Sequence, residues 1–151
     1  MEPIDFSHLA AKALSRKNPS KTLHKKYQKD ALYGDNVLDS LLLNKLRFIE
    51  DITPHLLTQI KSRLCCNKFL AKTSKYLRSM FNEEMQKEWD SNLSVKTRAT
   101  MVEKAICDAY DAGNLEAINE ILNILVWYGM YEQTVLNMEM KKELKRIRKH
   151  S

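Results

Sequence analysis

Only three glycines and three prolines punctuate this chain of 151 residues, and no other feature limits its fold as tightly. Sheets are joined by tight turns, and tight turns are built largely from those two residues. A chain with so few of them must run in long elements with few corners. Apolar side chains recur at spacings of three and four along most of the sequence, which is the period of a helix with one buried face. The expectation is an all-α fold, a single-domain irregular bundle of six or seven helices spanning 1–151. Hydrophobic residues make up 44% of the chain and charged residues 29%, enough apolar mass for one core without metal or disulfide staples.

The few punctuation marks divide the chain. A short helix over 5–15 presents Phe6, Leu9, Ala10 and Ala13, and Pro19 in "RKNPSK" breaks it. Ser20 is placed to cap a second helix, about 21–33, that Gly34 closes in a left-handed turn. A third helix starts at Asp35 or Asn36 and carries Leu38, Leu41, Leu42, Leu46 and Ile49. Thr53-Pro54 pairs a capping hydroxyl with a proline at the first helical position. From there Leu56, Leu57, Ile60 and Leu64 keep the helical period, and Phe69, Thr73, Leu77, Met80 and Trp89 continue it. That predicts a long helix to about residue 89, with a bend at "CCN" left open.

"DSNLS" reads as a loop and Ser94 as the cap of a helix bearing Val95, Ala99, Val102, Ala105, Ile106 and Ala109. Gly113-Asn114 turns the chain into a further helix with Leu115, Ile118, Ile121, Leu122 and Leu125. Gly129 is expected to end it, before a last basic amphipathic helix at about 131–149. The stretch "ICDAYDAGNLEAINEIL", 106–122, resembles the helix-turn-helix of a single ankyrin repeat. No "TPLH" opening precedes it and no second copy lies about thirty-three residues away, as stacking repeats require. It reads as a generic helical hairpin.

The oiliest segment, "LNILVWYGMYEQT" at 122–134, has almost no polar face. A helix that is apolar all round is normally surrounded by others, so 115–128 is expected to be the central helix. The alternative is that Trp127, Tyr128, Met130 and Tyr131 emerge as a contact patch, since aromatics and Met concentrate in interface cores.

Catalytic and cofactor motifs are missing from the sequence. Phosphate-cradling loops need clustered glycines, and three scattered ones build none; there is no H-E-x-x-H and no G-x-S-x-G. Cys65 and Cys66 are adjacent, a poor arrangement for two ligands of one tetrahedral zinc, and Cys107 is remote from both. Glu84 and Glu88, one turn apart, are the best acid pair, but Lys87 beside them suggests a solvated face. No catalytic, cofactor-binding or metal-binding residue is therefore assigned, and the chain is read as a non-enzyme.

Charge is more informative because it is blocky. Seven Lys or Arg residues and no acid lie between Lys12 and Lys29; six and no acid lie between Lys61 and Arg78. Residues 103–120 instead hold five acids against Lys104 alone. Blocks of one sign create a directional field, whereas interspersed charges largely cancel. Helical spacing puts Lys21, Lys25 and Lys29 on one face, and Lys68, Lys72 and Lys75 on another, opposite Phe69, Thr73, Tyr76, Leu77 and Met80. In the terminal segment Lys141, Lys142, Lys145, Arg146, Arg148 and Lys149 surround a stripe of Leu136, Met140, Leu144 and Ile147. These lysine and arginine faces are the candidate anion- or nucleic-acid-binding surfaces.

The functional expectation is a regulatory or accessory interaction protein whose partner is another macromolecule. A protein partner ranks ahead of RNA or DNA, and an anionic membrane surface ranks third. The Lys, Asn and Ile usage is that of an AT-rich genome, which accords with a viral accessory protein acting on host factors. An odd cysteine count and a start without an apolar core point to a cytoplasmic or nuclear protein, neither secreted nor transmembrane.

Overall fold

The computed structural model describes residues 18–131, and the all-α class holds there. Six α-helices and no strand lie among the described residues. They are α1 Pro19–Leu46, α2 Pro54–Cys65, α3 Asn67–Leu77, α4 Glu83–Trp89, α5 Val95–Asp111 and α6 at 115–131, with a 3-10 turn Arg78–Met80 after α3. The expected helices at 5–15 and, beyond Tyr131, in the basic terminal segment fall outside the described residues.

Capping chemistry fixes most of the ends. Thr53 Oγ1 accepts from the Leu56 N–H at 3.1 Å, Asn82 Oδ1 from Met85 at 2.8 Å and Ser94 Oγ from Thr97 at 3.2 Å. Asn114 Oδ1 accepts from Ala117 at 3.1 Å. Each satisfies an N–H that the first helical turn leaves without a partner. The start of α1 differs from expectation. Asn18, not Ser20, is the cap, accepting from the Lys21 N–H at 2.9 Å, and Pro19 opens the helix. Gly113 makes the expected turn at φ +64°.

The other two glycines are not stops. α1 runs unbroken for 28 residues through Gly34, and α6 passes through Gly129. A Cβ on Gly34 would sit 1.8 Å from the Glu103 carbonyl oxygen and 3.3 Å from the Cys107 nitrogen. Gly34 is therefore the point where α5 lays its backbone against α1. A Cβ on Gly129 would meet Leu64 Cδ2 at 2.0 Å, so this glycine makes room for α2. A glycine ending a helix and a glycine admitting a neighbour look identical in sequence.

The bend left open at "CCN" is a break between α2 and α3, and the long helix expected beyond it to about residue 89 is divided into α3 and α4. Cys66 at ψ 150° and Phe81 at ψ 151° are extended at the two breaks, and the buried Phe81 ring turns into the core at the second break.

α1 and α5 pack side by side and parallel. Ser20 Oγ bonds Thr97 Oγ1 at 2.7 Å, His24 Nδ1 meets Thr100 Oγ1 at 2.8 Å, and Lys104 Nζ donates to Asp30 at 2.7 Å. The partners stay 74 to 77 positions apart along both helices, a constancy only parallel neighbours produce. α3 packs on another side of α5, which makes α5 the central helix. Leu38, Leu42 and Leu46 of α1, Leu70 and Leu77 of α3, Met101, Val102 and Ile106 of α5, and Ile118, Ile121 and Leu125 of α6 fill the core. The expectation of a central α6 is overturned: Glu116, Asn119, Glu120, Asn123 and Trp127 leave one of its faces open to solvent.

Replacing Gly34 with Ala in an α-helix ordinarily stabilises by about 1 kcal/mol. Here the methyl must displace backbone, so Gly34→Ala is expected to destabilise by roughly 2–4 kcal/mol. Gly129→Ala, whose closest contacts are side-chain atoms of Leu64 and Phe69 and not backbone, should cost clearly less. Chemical denaturation of the two variants checks both sign and order.

Candidate interaction surface

The acidic pairs that invite a catalytic reading are already bound inside the fold. Lys26 Nζ donates to Glu84 at 2.7 Å and to Glu88 at 3.1 Å, and the Tyr27 hydroxyl makes a short hydrogen bond to Glu88. The bond from Lys26 holds the Glu84 carboxyl below its usual range, while burial, together with Glu88, pushes the Tyr27 phenol up to about 12. These contacts clamp α4 onto α1. Arg78 grips Asp90 with two nitrogens at 2.7 and 2.6 Å, and Arg98 lies 4.4 Å over the Trp89 ring, both bracing the C-terminal end of α4.

A cation-sized cluster forms where Asp30, Cys107 and Asp108 bring their ligand atoms within 4.8 Å of one another. The Lys104 ammonium lies against it, bonded to both carboxylates at 2.7 Å. Burial works against that charge, but the two carboxylates outweigh it and raise the lysine above its usual range. Burial also pushes the Cys107 thiol up to about 11, and Cys65, half-buried near Asp39, is raised for the same reason. Both are held as thiols, the inert form. Cys66 is exposed at the α2–α3 junction.

Sequence reasoning missed a second acidic group. Glu103 of α5 faces Asp35 and Asp39 of α1, and burial with these like charges raises its carboxyl to about 8. The countercharge from α2 is Lys61, 3.8 Å from Asp39. The i, i+4 spacing of Asp35 and Asp39 was visible; the arrival of Glu103 opposite them depends on the Gly34 crossing.

The sequence-predicted contact residues occupy the last two described turns of α6. Trp127 is 62% exposed, Tyr131 61% and Met130 50%, while Tyr128 is half-buried. Tyr128 stacks on Tyr76 of α3, ring centroids 4.2 Å apart and planes 13° from parallel. Trp127 stands edge-on to Tyr128 at 4.6 Å, and Tyr131 lies nearly parallel to Trp127 at 6.2 Å. Four rings from two helices thus form one continuous aromatic surface. Tyr76 had been expected on the buried side of its helix; it is exposed instead, with Lys75 Nζ 4.9 Å above its ring.

The lysine faces are distributed. Lys68, Lys72 and Lys75 are exposed on α3, beside the aromatic surface through Tyr76. Lys21, Lys25 and Lys29 are exposed on α1, and α5 packs against both helices between them. Lys141, Lys142, Lys145, Arg146, Arg148 and Lys149 lie outside the described residues.

Glu103 yields a pH prediction. Its folded carboxyl titrates far above the ordinary value of 4.5, so the native state holds a proton that the unfolded chain releases. The penalty is absent below about pH 4.5, grows as pH rises, and levels off above about 8. Glu103→Gln should flatten this decline, leaving stability near pH 4.5 little changed and adding on the order of 1 kcal/mol near pH 8.5 after solvent screening. Thermal melts at the two pH values measure it.

No family model, curated protein or solved structure matches this chain.

Proposed function

We propose that this is a non-enzymatic regulatory or accessory protein that binds another protein through the aromatic surface of Trp127, Tyr128, Met130 and Tyr131. The observation that carries the reading is the Tyr76–Tyr128 stack, which joins these residues to α3 and holds them as a rigid platform. Large exposed aromatic side chains cost free energy in water, and contiguous apolar patches mark interaction sites more often than chance exposure does. Pre-stacked rings lose little side-chain entropy on binding, which is why Trp and Tyr dominate interface energetics. Support for a non-enzyme comes from the acids: Glu84, Glu88, Asp30 and Asp108 are each tied to a lysine that braces two helices.

A protein is favoured over nucleic acid by the charge around the rings. Lys75 borders them on the α3 side, but Glu116 and Glu120 lie along the same exposed strip of α6 as Trp127. A phosphate backbone would be repelled at one end of that strip, whereas a protein partner can match both signs. One observation supports the second reading, RNA or DNA binding. Lys68, Lys72 and Lys75 share an exposed face with Tyr76, a pairing of cations and an aromatic ring that single strands use.

Capture from lysate with and without nuclease, using the parent chain and a Trp127→Ala/Tyr131→Ala variant, separates the readings. The expected result is a protein retained after nuclease and lost with the double variant, whose melting temperature stays near that of the parent because both side chains are exposed. A partner that survives the double variant would overturn the assignment. Changing Lys68, Lys72 and Lys75 together to Gln should leave helicity intact. If each meets an anion it weakens binding by roughly 1 kcal/mol per lysine, and a phosphate partner would further show log affinity falling linearly with log salt.

A further inference from the structure

One side of the α1–α5 seam is polarised in charge. Glu103 faces Asp35 and Asp39, which marks that side on both helices. Residues seven apart stay on one side of a helix. The rows Lys21, Gln28, Asp35 and Lys25, Leu32, Asp39 therefore both lie there, as does Lys96, seven positions before Glu103. Ser20 touches Thr97 at 2.7 Å, which brings their neighbours Lys21 and Lys96 to the same level of the seam. Between the two helices His24 Nδ1 meets Thr100 Oγ1 at 2.8 Å, and burial, together with the Lys96 charge, holds its imidazole below the ordinary range. Lys21, Lys25 and Lys96 are exposed, and no ion pair joins them to a described residue. Lys26, Lys61 and Lys104, by contrast, are each bound to a carboxylate. Asp35 lies ten positions beyond Lys25, about 15 Å along the helix. That is further than exposed charges are felt at physiological salt, about 8 Å.

We propose that Lys21, Lys25 and Lys96 form a docking face for the phosphate backbone of a double-stranded nucleic acid, bound without regard to sequence. This face is independent of the aromatic surface of α6, and either can stand without the other. The chemistry of the surface selects the ligand. From Lys21 to Lys29 the exposed side chains of α1 are Lys21, Thr22, Lys25, Lys26, Gln28 and Lys29, and none is apolar. A protein interface has an apolar centre from which lysine is depleted, and a helix lying on a membrane buries an apolar face. This stretch offers neither. Phosphate contacts need only cations and hydrogen-bond donors, and each lysine that meets a phosphate releases a condensed counterion. The aromatic ring of the stretch, Tyr27, is buried with its hydroxyl bonded to Glu88, so it gives unpaired bases nothing to stack on. A duplex keeps its bases stacked inside and its phosphates outside, and has no such need. Lys29, one turn beyond Lys25, extends the row of cations by about 6 Å.

The test uses the full chain and a labelled duplex of about 20 base pairs, two helical turns, with one of its strands alone as the comparison. Fluorescence anisotropy should show the duplex bound, its log affinity falling linearly as log salt rises. Lys21→Gln/Lys25→Gln/Lys96→Gln removes three exposed charges and should leave the melting temperature near that of the parent. It should also make the salt slope shallower by roughly 2 to 3, and weaken binding at least about tenfold at about 0.1 M salt. Lys68→Gln/Lys75→Gln should change duplex binding far less. The His24 imidazole reports the location. Proton NMR should show its pKa rise when the duplex is added, since a phosphate beside it favours the charged form. An unchanged slope in the triple variant, or a His24 pKa indifferent to the duplex, overturns the proposal. Tighter binding of the single strand that is lost in Lys68→Gln/Lys75→Gln would overturn it in favour of the α3 face. Vesicles of anionic lipid or a polyglutamate peptide, bound more tightly than the duplex and released by the triple variant, would overturn it in favour of a membrane surface or an acidic protein.

Discussion

Everything in this fold hangs on the approach of α5 to α1 at Gly34. A helix pair normally keeps its backbones apart by the width of two side chains. At Gly34 one of those side chains is missing, and the Glu103 carbonyl occupies the place where a Cβ would be. That close approach fixes the distance between α1 and α5. A line of polar contacts then fixes their register: Ser20 with Thr97, His24 with Thr100, Asp30 with Lys104. Apolar burial supplies most of the stabilising free energy but is tolerant of sliding, whereas hydrogen bonds between specific side chains are not. The seam therefore decides which of several similar packings is adopted.

Once that pair is set, much of the molecule's charge is committed to holding it together. Lys26 braces α4 against α1, Lys104 braces α1 against α5, and Arg78 and Arg98 secure the C-terminal end of α4. The same crossing has a cost, since it buries Glu103 against Asp35 and Asp39 and raises its pKa to about 8. Lys68, Lys72 and Lys75 of α3 and Lys21, Lys25 and Lys29 of α1 are exposed. Among the described residues the blocky charge of the sequence thus resolves into lysines that clamp helices, such as Lys26 and Lys104, and exposed lysine faces on α1 and α3.

α6 is the element whose surface the core does not use up. Its buried face, Ile118, Ile121, Leu122 and Leu125, is an ordinary core stripe. Around the rest of its last two described turns the apolar character continues, from Val126 and Met130 beside α2, across Trp127 and Tyr131, to Tyr128 against Tyr76. A sequence that is apolar all round was expected to signal a helix buried on all sides. Here it belongs to a helix buried on one side and presenting hydrophobic side chains on the other, which is the basis for reading the exposed part as an interface.

The amino-acid sequence determined the helical class and most helix starts by itself, because capping and periodicity are local. The bond from Thr53, Ser94 or Asn114 to an N–H three residues on depends on nothing outside its own turn, and the scarcity of Gly and Pro excludes a turn-rich sheet at any tertiary arrangement. What Gly34 and Gly129 do was decided only by the tertiary structure. Each permits either a left-handed turn or a close neighbour, and the choice lies with α5 and α2, residues remote in sequence. The same holds for Lys26 finding Glu84 and Glu88, for Glu103 meeting Asp35, and for Tyr76 meeting Tyr128. The candidate contact residues at 127–131 were legible as an oily run. Their union with Tyr76 required helices that are adjacent in space but not in sequence.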